Sequence, residues 1–332
     1  MAIAYTGAVI PTDFKADIIA EILFKNATVE DGLVMFETGI KAGRVITENI
    51  NSVTMQPWSV NPTGSEAGSI GIDDTTVFPV KVEYIDKFTP DDLRSTRFNR
   101  DMAPGAINDV SDEFNRLVLN GIAPLISNDS ENKYWNGALA STKTAVALLT
   151  AGALQTQVSA NEKALVAAMP TTLFDSLTTK IIYNKNAVGK RIKVGGTVLD
   201  SANIGAEVGK IYNAIPDEVL SGNDKPYIYA SRSVKKLINN FNKAQVYRDT
   251  FTVDLATNKY FYLDVEIVFV PLAPNVMLAG VPMNFVWCTD LLDDYSDIQI
   301  APYPAPRKDY FYDVIFTIFA HVVNQKFNVL YV

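Results

Sequence analysis

The chain has 332 residues, enough for one large domain or two to three moderate ones, and its 48% hydrophobic and 20% charged residues describe an ordinary folded protein. A net charge of −8 argues against a general nucleic-acid binder, whose phosphate contacts need a basic face. One cysteine, Cys288, excludes an internal disulfide framework and fits a reducing compartment.

Met1-Ala2-Ile3-Ala4-Tyr5 shows no basic stretch leading into an apolar core, so no secretory signal is expected. The greasiest run, residues 265–288, is broken by Glu266, Pro271, Pro274, Gly280 and Pro282, and a membrane span is not expected there. Asp13 opens a short helix with Phe14, Ile18, Ile19, Ile22 and Leu23 on one side, and apolar clusters follow at 33–36 and around Val45-Ile46. The first 50 or so residues read as an arm carrying short elements. Val53, Met55 and Pro57 alternate with polar residues, as do Val80, Val82 and Tyr84, so both runs read as half-buried strands. Between them, Gly64, Gly68 and Gly71 punctuate a stretch with few large side chains, which predicts a long hairpin with a flexible tip at 59–76. A two-stranded ribbon is marginal in water, so its apolar face needs a cover from this chain or a neighbouring subunit.

The centre of the chain is a long helix expected over 104–127. Ile107, Val110, Phe114, Leu117, Val118, Ile122 and Leu125 fall at alternating spacings of three and four, one side of a helix. Asp101 is a candidate N-cap and Pro104 sits in the first turn, where its missing N–H costs nothing. Pro124 is expected to bend or break the rod, and Asn128-Asp129-Ser130 to end or joint it. Glu162, Leu165, Val166 and Met169 predict a further helix. Residues 201–220 form another, with Ile204, Val208, Ile211 and Tyr212 on one side. Tyr227-Ile228-Tyr229 is a short strand, and Ser231 caps a helix with Val234, Leu237, Ile238 and Phe241. Short extended segments at 263–270, 276–279 and 284–289 are separated by proline and glycine turns. Residues 310–323 are apolar on both alternating faces, which predicts a strand buried on both sides, and 329–332 form a last strand.

The search for chemistry is largely negative. His321, the only histidine, lies in the doubly buried strand, where a packed role outweighs a catalytic one. Cys288 beside Trp287 reads as an inert buried thiol. Asp290, Asp293, Asp294 and Asp297 form an acidic run that matches no calcium loop and reads as a solvated turn. Lys185, Lys190, Arg191 and Lys193, with Gly195 and Gly196, form a basic, Gly-rich stretch; without interleaved aromatics, a solvated loop outweighs a phosphate site. Neither Gly64, Gly68 and Gly71 nor Gly189-Lys190 builds a phosphate cradle, and the pairs Asp73-Asp74 and Asp91-Asp92 are weak signals. No catalytic, cofactor-binding or metal-binding residues are assigned, and no cofactor is expected.

The order of parts is more informative than any motif. An arm, a long Gly-tipped hairpin, a spine helix, a strand-and-capped-helix unit, short strands and a long terminal strand follow one another. Locally, Pro271-Leu272-Ala273-Pro274-Asn275 leads to Asn284-Phe285-Val286-Trp287-Cys288-Thr289-Asp290-Leu291. This arrangement resembles the major capsid protein of tailed bacteriophages, the fold of phage Hong Kong ninety-seven, with an α+β fold class. The resemblance implies an N-terminal arm at 1–50, an extended hairpin loop at 51–95, and a peripheral domain with the spine helix at 96–220. Residues 139–200 stand as a possible insertion. An axial domain at 221–300 follows, and the terminal strands at 301–332 return to the peripheral domain. It implies self-assembly into hexamers and pentamers of an icosahedral shell, with possible portal, scaffolding and decoration partners, enclosed DNA bound without sequence specificity, and no enzymatic activity. Some relatives crosslink lysine to asparagine; Lys81 or Lys87 would suit by position alone, and no matching pattern carries that chemistry over. A nanocompartment shell protein, a tail or decoration protein, and an enzyme are the competing readings.

Overall fold

The computed structural model describes residues 18, 20–23, 25–40, 44–53, 68–88, 112–152, 154, 157–183, 191–245, 250–254, 256–290, 297–302 and 310–332. In chain order these form α1 (Ala27–Glu30), β1 (Met35–Glu37), β2 (Arg44–Val53), β3 (Gly68–Val77), β4 (Val80–Phe88), the spine helix α2 (Asp112–Trp135), α3 (Ala140–Leu148), α4 (Ala160–Ala168) and α5 (Leu177–Ile182). There follow β5 (Ile192–Val194), α6 (Ile204–Ala214), α7 (Asp217–Leu220), β6 (Tyr227–Ser231), α8 (Arg232–Ala244), β7 (Phe251–Asp254), β8 (Lys259–Tyr262), β9 (Val265–Val270) and β10 (Met277–Gly280). β11 (Phe285–Cys288), β12 (Asp297–Pro302), β13 (Tyr310–Val322) and β14 (Val329–Tyr331) close the fold.

Two sheets organise the body. The five-stranded sheet is built on β13, which pairs antiparallel with β11, β12 and β4, while β1 adds parallel to β11. The seven-stranded sheet has the order β5-β14-β10-β6-β9-β8-β7 and mixes parallel with antiparallel pairs. Alternation along its strands divides two cores. Ile228, Ala230, Ile267, Met277, Ala279 and Val329 pack with Val208 of α6 and Val234 of α8. Tyr229, Val268, Leu278 and Leu330, their neighbours in sequence, face a second core shared with the spine helix and β13. Strands covered on both faces in this way read as nearly continuous apolar runs, as β9 and β10 do.

The spine helix spans 24 residues, about 36 Å, and differs from its expected position. It continues through Pro124 and Asn128-Asp129-Ser130 to Trp135, whereas residues 104–111 lie outside the described residues. Pro124 is exposed, so the carbonyl its missing N–H leaves free faces water. Its buried line is Leu119, Ala123, Ile126, Ser130 and Tyr134, and Leu125, expected on the buried stripe, is 68% exposed. A tertiary and a local partner override the turn-forming residues: Asp129 Oδ2 accepts the Tyr84 hydroxyl of β4 at 2.6 Å and pairs with Lys133 one helical turn on at 2.6 Å.

The hairpin is also rearranged. Its strands are β2 and β3, in register from Arg44 against Val77 to Val53 against Gly68, so Val45-Ile46 belongs to the hairpin and Gly68 and Gly71 to a strand. The run Val80-Val82-Tyr84 pairs instead with β13, through Val80 against Ile318 and Tyr84 against Val314. Residues 54–67 fall outside the described residues. Residues expected within an arm are packed: Ile18, Ile22, Leu23, Leu33 and Val34 are buried in the spine-helix core, and Asp13, Phe14 and Ile19 lie outside the described residues. The helix expected at 201–220 is divided into α6 and α7 at Ile215-Pro216, and α6 packs on the seven-stranded sheet, away from the spine helix. The last strand, β14, also joins that sheet. Residues 139–200 are built into the body, because Val146, Val166, Leu177 and Ile181 all lie in the spine-helix core.

β13 is covered on one face by Val314, Phe316, Ile318, Ala320 and Val322 packing into that core, while Ile315 and Phe319 on the other face are half-buried. Phe316 is 1% exposed and stacks on Tyr84 with ring centroids 5.9 Å apart. Replacing Phe316 with Ala is expected to destabilise the fold by about 3–5 kcal/mol through the cavity left behind. A urea midpoint equal to the parent's would show that β13 is not a centre of the core.

Candidate functional site

The residues singled out in the sequence are scattered, and their charges are turned inward. Arg191 is fully buried: its Nη2 lies 2.5 Å from Glu162 Oε1 and its Nε donates to the same oxygen at 2.7 Å. Glu162 also closes the N-terminus of α4, where it accepts Ser159 N–H while Ser159 accepts Glu162 N–H. Lys193 Nζ donates to the carbonyls of Gly152, Leu154 and Gln157 at 3.1, 2.7 and 3.1 Å. Neither the phosphate reading nor the solvated-loop reading holds for these two cations, which tie β5 to the start of α4. Gly196 is required by packing, since a Cβ there would meet the Tyr331 ring at 2.4 Å. Lys185, Gly189 and Lys190 lie outside the described residues, as do Gly64, Asp91, Asp92, Asp293 and Asp294. Asp290 is buried, so the acidic run is not wholly a solvated turn. Among the described residues no group of three or more His, Cys, Asp and Glu is placed to hold a metal ion. No helix among them is long and apolar enough to cross a membrane.

A polar tie that the sequence does not reveal joins three parts of the molecule. Glu131 of the spine helix is buried, and its Oε1 accepts the Thr28 N–H at 3.1 Å and the Thr28 hydroxyl at 2.6 Å. Its Oε2 accepts Arg232 Nη2 of α8 at 2.9 Å, and Trp135 Nε1 donates to Thr28 Oγ1 at 2.9 Å. Only the pairing of a buried acid with distant donors explains a Glu on the buried side of a helix.

Cys288 is buried in β11, as expected for an inert thiol. His321 is also buried, but it is not simply packed. It lines a cavity of 380 Å³ between the root of the hairpin, α3, α5 and β13, together with Thr76, Val80, Lys180 and Gln325. Lys180 Nζ lies 3.3 Å from the centroid of the Phe319 ring and donates to the Ala320 carbonyl. Burial lowers the Lys180 amine to about 7, against the pull of Asp175 and Cys288, which favour its charged form. Burial, helped by the Lys180 charge, lowers His321 to about 3, so its ring is neutral at pH 7. Asp175 accepts Leu139 N–H at 2.9 Å and the Thr142 hydroxyl at 2.8 Å, placing a carboxylate at the N-terminus of α3. The only sequence signal for this cavity was the histidine itself.

No family model and no curated protein matches the chain. Solved structures do. A chain of the satellite phage P4 procapsid aligns with TM-score 0.52 at 14% identity, over 97% of this chain and 98% of that one. The capsid of a native GTA particle gives 0.51 at 10% identity, over 100% and 93%, and the capsid of Myoviridae phage XM1 gives 0.50 at 10%, over 92% and 91%. The chain has the tailed-phage capsid fold. The α+β class follows with it, and the likeness runs nearly end to end in both directions.

Within this capsid fold, the cavity gives stability a defined pH dependence. His321 is held below its usual 6.5, so the unfolded chain binds more protons between about 3 and 6.5 and stability falls as pH drops through that window. Lys180 is held below its usual 10.5, so the same argument makes stability rise with pH between about 7 and 10.5. Denaturant midpoints measured across pH are expected to show a shallower acid limb in His321→Gln and a flatter alkaline limb in Lys180→Met. Limbs identical to the parent's in both variants would assign the pH dependence to other groups.

Proposed function

We propose that this chain is the major capsid protein of a tailed bacteriophage, a structural virion subunit that assembles with itself into an icosahedral shell around the DNA genome. The observation that carries the reading is an end-to-end match to a phage procapsid chain, 97% of this chain against 98% of that one. A second feature supports it. The ribbon β2–β3 forms a two-stranded sheet of its own, pairing with no other strand among the described residues. Ribbons of that kind are marginal alone in water, and a neighbouring subunit supplies the cover.

In this reading the ribbon is the extended loop. The spine helix and the five-stranded sheet form the peripheral domain, and the seven-stranded sheet with α6 and α8 forms the axial domain. Hexamers and pentamers are the assembly units, and portal, scaffolding and decoration proteins are the further partners. A subunit of charge −8 holds DNA by enclosure, not by tight binding. The role is structural, in the virion, and no catalytic step is assigned to it. A nanocompartment shell would use the same fold around a protein cargo, so particle contents distinguish the two.

Negative-stain images of the purified protein, alone and with its scaffold, are expected to show closed shells of uniform diameter or hexameric and pentameric rings. Tubes would indicate a tail protein, and a monomer that never assembles would overturn the reading.

A further inference from the structure

The cavity beside His321 holds a buried polar atom that has no partner among the described residues. Gln325 is 4% exposed; its Nε2 donates to the Lys180 carbonyl at 3.0 Å, and its Oε1 is buried without a partner among the described residues. An unpaired buried acceptor is destabilising, so a donor in the cavity would relieve it. Lys180 keeps part of its surface and lines the same space, with donors beyond the one given to Ala320. Val80, Leu173, Phe174 and Val322 supply apolar wall. A few convergent polar groups in an apolar space of 380 Å³ match the usual make-up of a small-molecule site.

The charge pattern selects the ligand. Asp175 favours the charged lysine from the turn before α5, but no ion pair joins the two, and its oxygens accept the Leu139 N–H and the Thr142 hydroxyl. Cys288 faces the lysine from β11, His321 from β13, and Tyr183 from the end of α5, and among the described residues no carboxylate forms an ion pair with the amine. We propose that this cavity binds a small hydroxycarboxylate, its carboxylate on Lys180 Nζ and its hydroxyl donating to Gln325 Oε1. A bound anion restores the charged lysine that burial opposes, so binding takes up a proton near neutral pH. The site adjoins Thr76 at the end of β3, so an occupant would also touch the root of the hairpin.

His321 is the only histidine, so the imidazole signals of protein labelled with ¹⁵N-histidine report on this cavity alone. The probes are lactate, propionate and uncharged propionamide, followed by magic-angle-spinning NMR on the assembled protein. Lactate is expected to shift the signals saturably, more tightly than propionate, and about tenfold more weakly at pH 8 than at pH 6. Propionamide is expected to leave them unmoved. Lys180→Met should abolish the response, and Gln325→Leu should remove the preference for lactate over propionate while keeping carboxylate binding. An absent response to both acids, equal affinity at the two pH values, or undiminished binding in Lys180→Met would overturn the proposal. The lactate preference in Gln325→Leu tests it independently should Lys180→Met not fold.

Discussion

The last two turns of the spine helix are the contact on which the remainder of the body depends. Tyr134 stacks on Trp287 of β11 with centroids 4.5 Å apart, and Trp135 meets Tyr229 of β6 at 5.3 Å. One helix end thus touches the five-stranded sheet and the seven-stranded sheet at successive residues. Tyr229 continues the chain of rings to Phe285 and donates its hydroxyl to the Leu33 carbonyl at 2.6 Å. Aromatic pairs of this kind add about 0.5–1.5 kcal/mol each beyond their buried area. Glu131, one turn earlier, fastens the segment at Thr28 and reaches α8 through Arg232. Arg232 is half exposed, so screening weakens its share, and the two Thr28 bonds hold the carboxylate in its buried place.

Charge in this molecule works mainly as internal fastening. Arg191 and Glu162 are almost wholly buried, and a pair of this kind costs several kcal/mol per ion to desolvate. Its value lies in what breaking it would leave behind, an unpaired ion in the core, and in the geometry it imposes on β5 and α4. Glu207 does the same at the other end: its Oε2 accepts the Tyr331 hydroxyl at 2.8 Å and both its oxygens pair with Lys210, which anchors β14 against α6. Ties of this sort hold the short edge strand β5 and its neighbour β14 to the body, where the three residue pairs between them would do little alone.

The hairpin stands apart from this economy of contacts. β4, which follows it after Phe78-Pro79, is held by nine residue pairs to β13, whereas among the described residues β2 and β3 pair only with each other. A rigid root and a self-paired ribbon suit an element whose packing partner is another subunit. The Lys180 cavity lies at that root, with Thr76 and Val80 in its wall.

By itself the sequence determined the classes of element, the buried terminal strand and the absence of familiar catalytic motifs. Period-two and period-3.6 patterns are local, and α8, β6, β9, β10 and β13 stand near their expected places. Order of elements was enough to suggest the capsid fold, since no single motif is long enough to do so. Only the tertiary structure decided where the spine helix ends, because Asn128-Asp129-Ser130 is a turn signal until Tyr84 of β4 engages Asp129. It alone decided that Val80-Val82-Tyr84 pairs with β13 and not with the strand before it, since alternation says which face is buried but not against which partner. It also decided that Arg191 and Glu131 are buried, that Lys193 is tied to the carbonyls before α4, and that Lys180 and His321 share a cavity. Those facts depend on residues far apart in the chain, and a charged side chain carries no local mark of whether a distant partner will bury it.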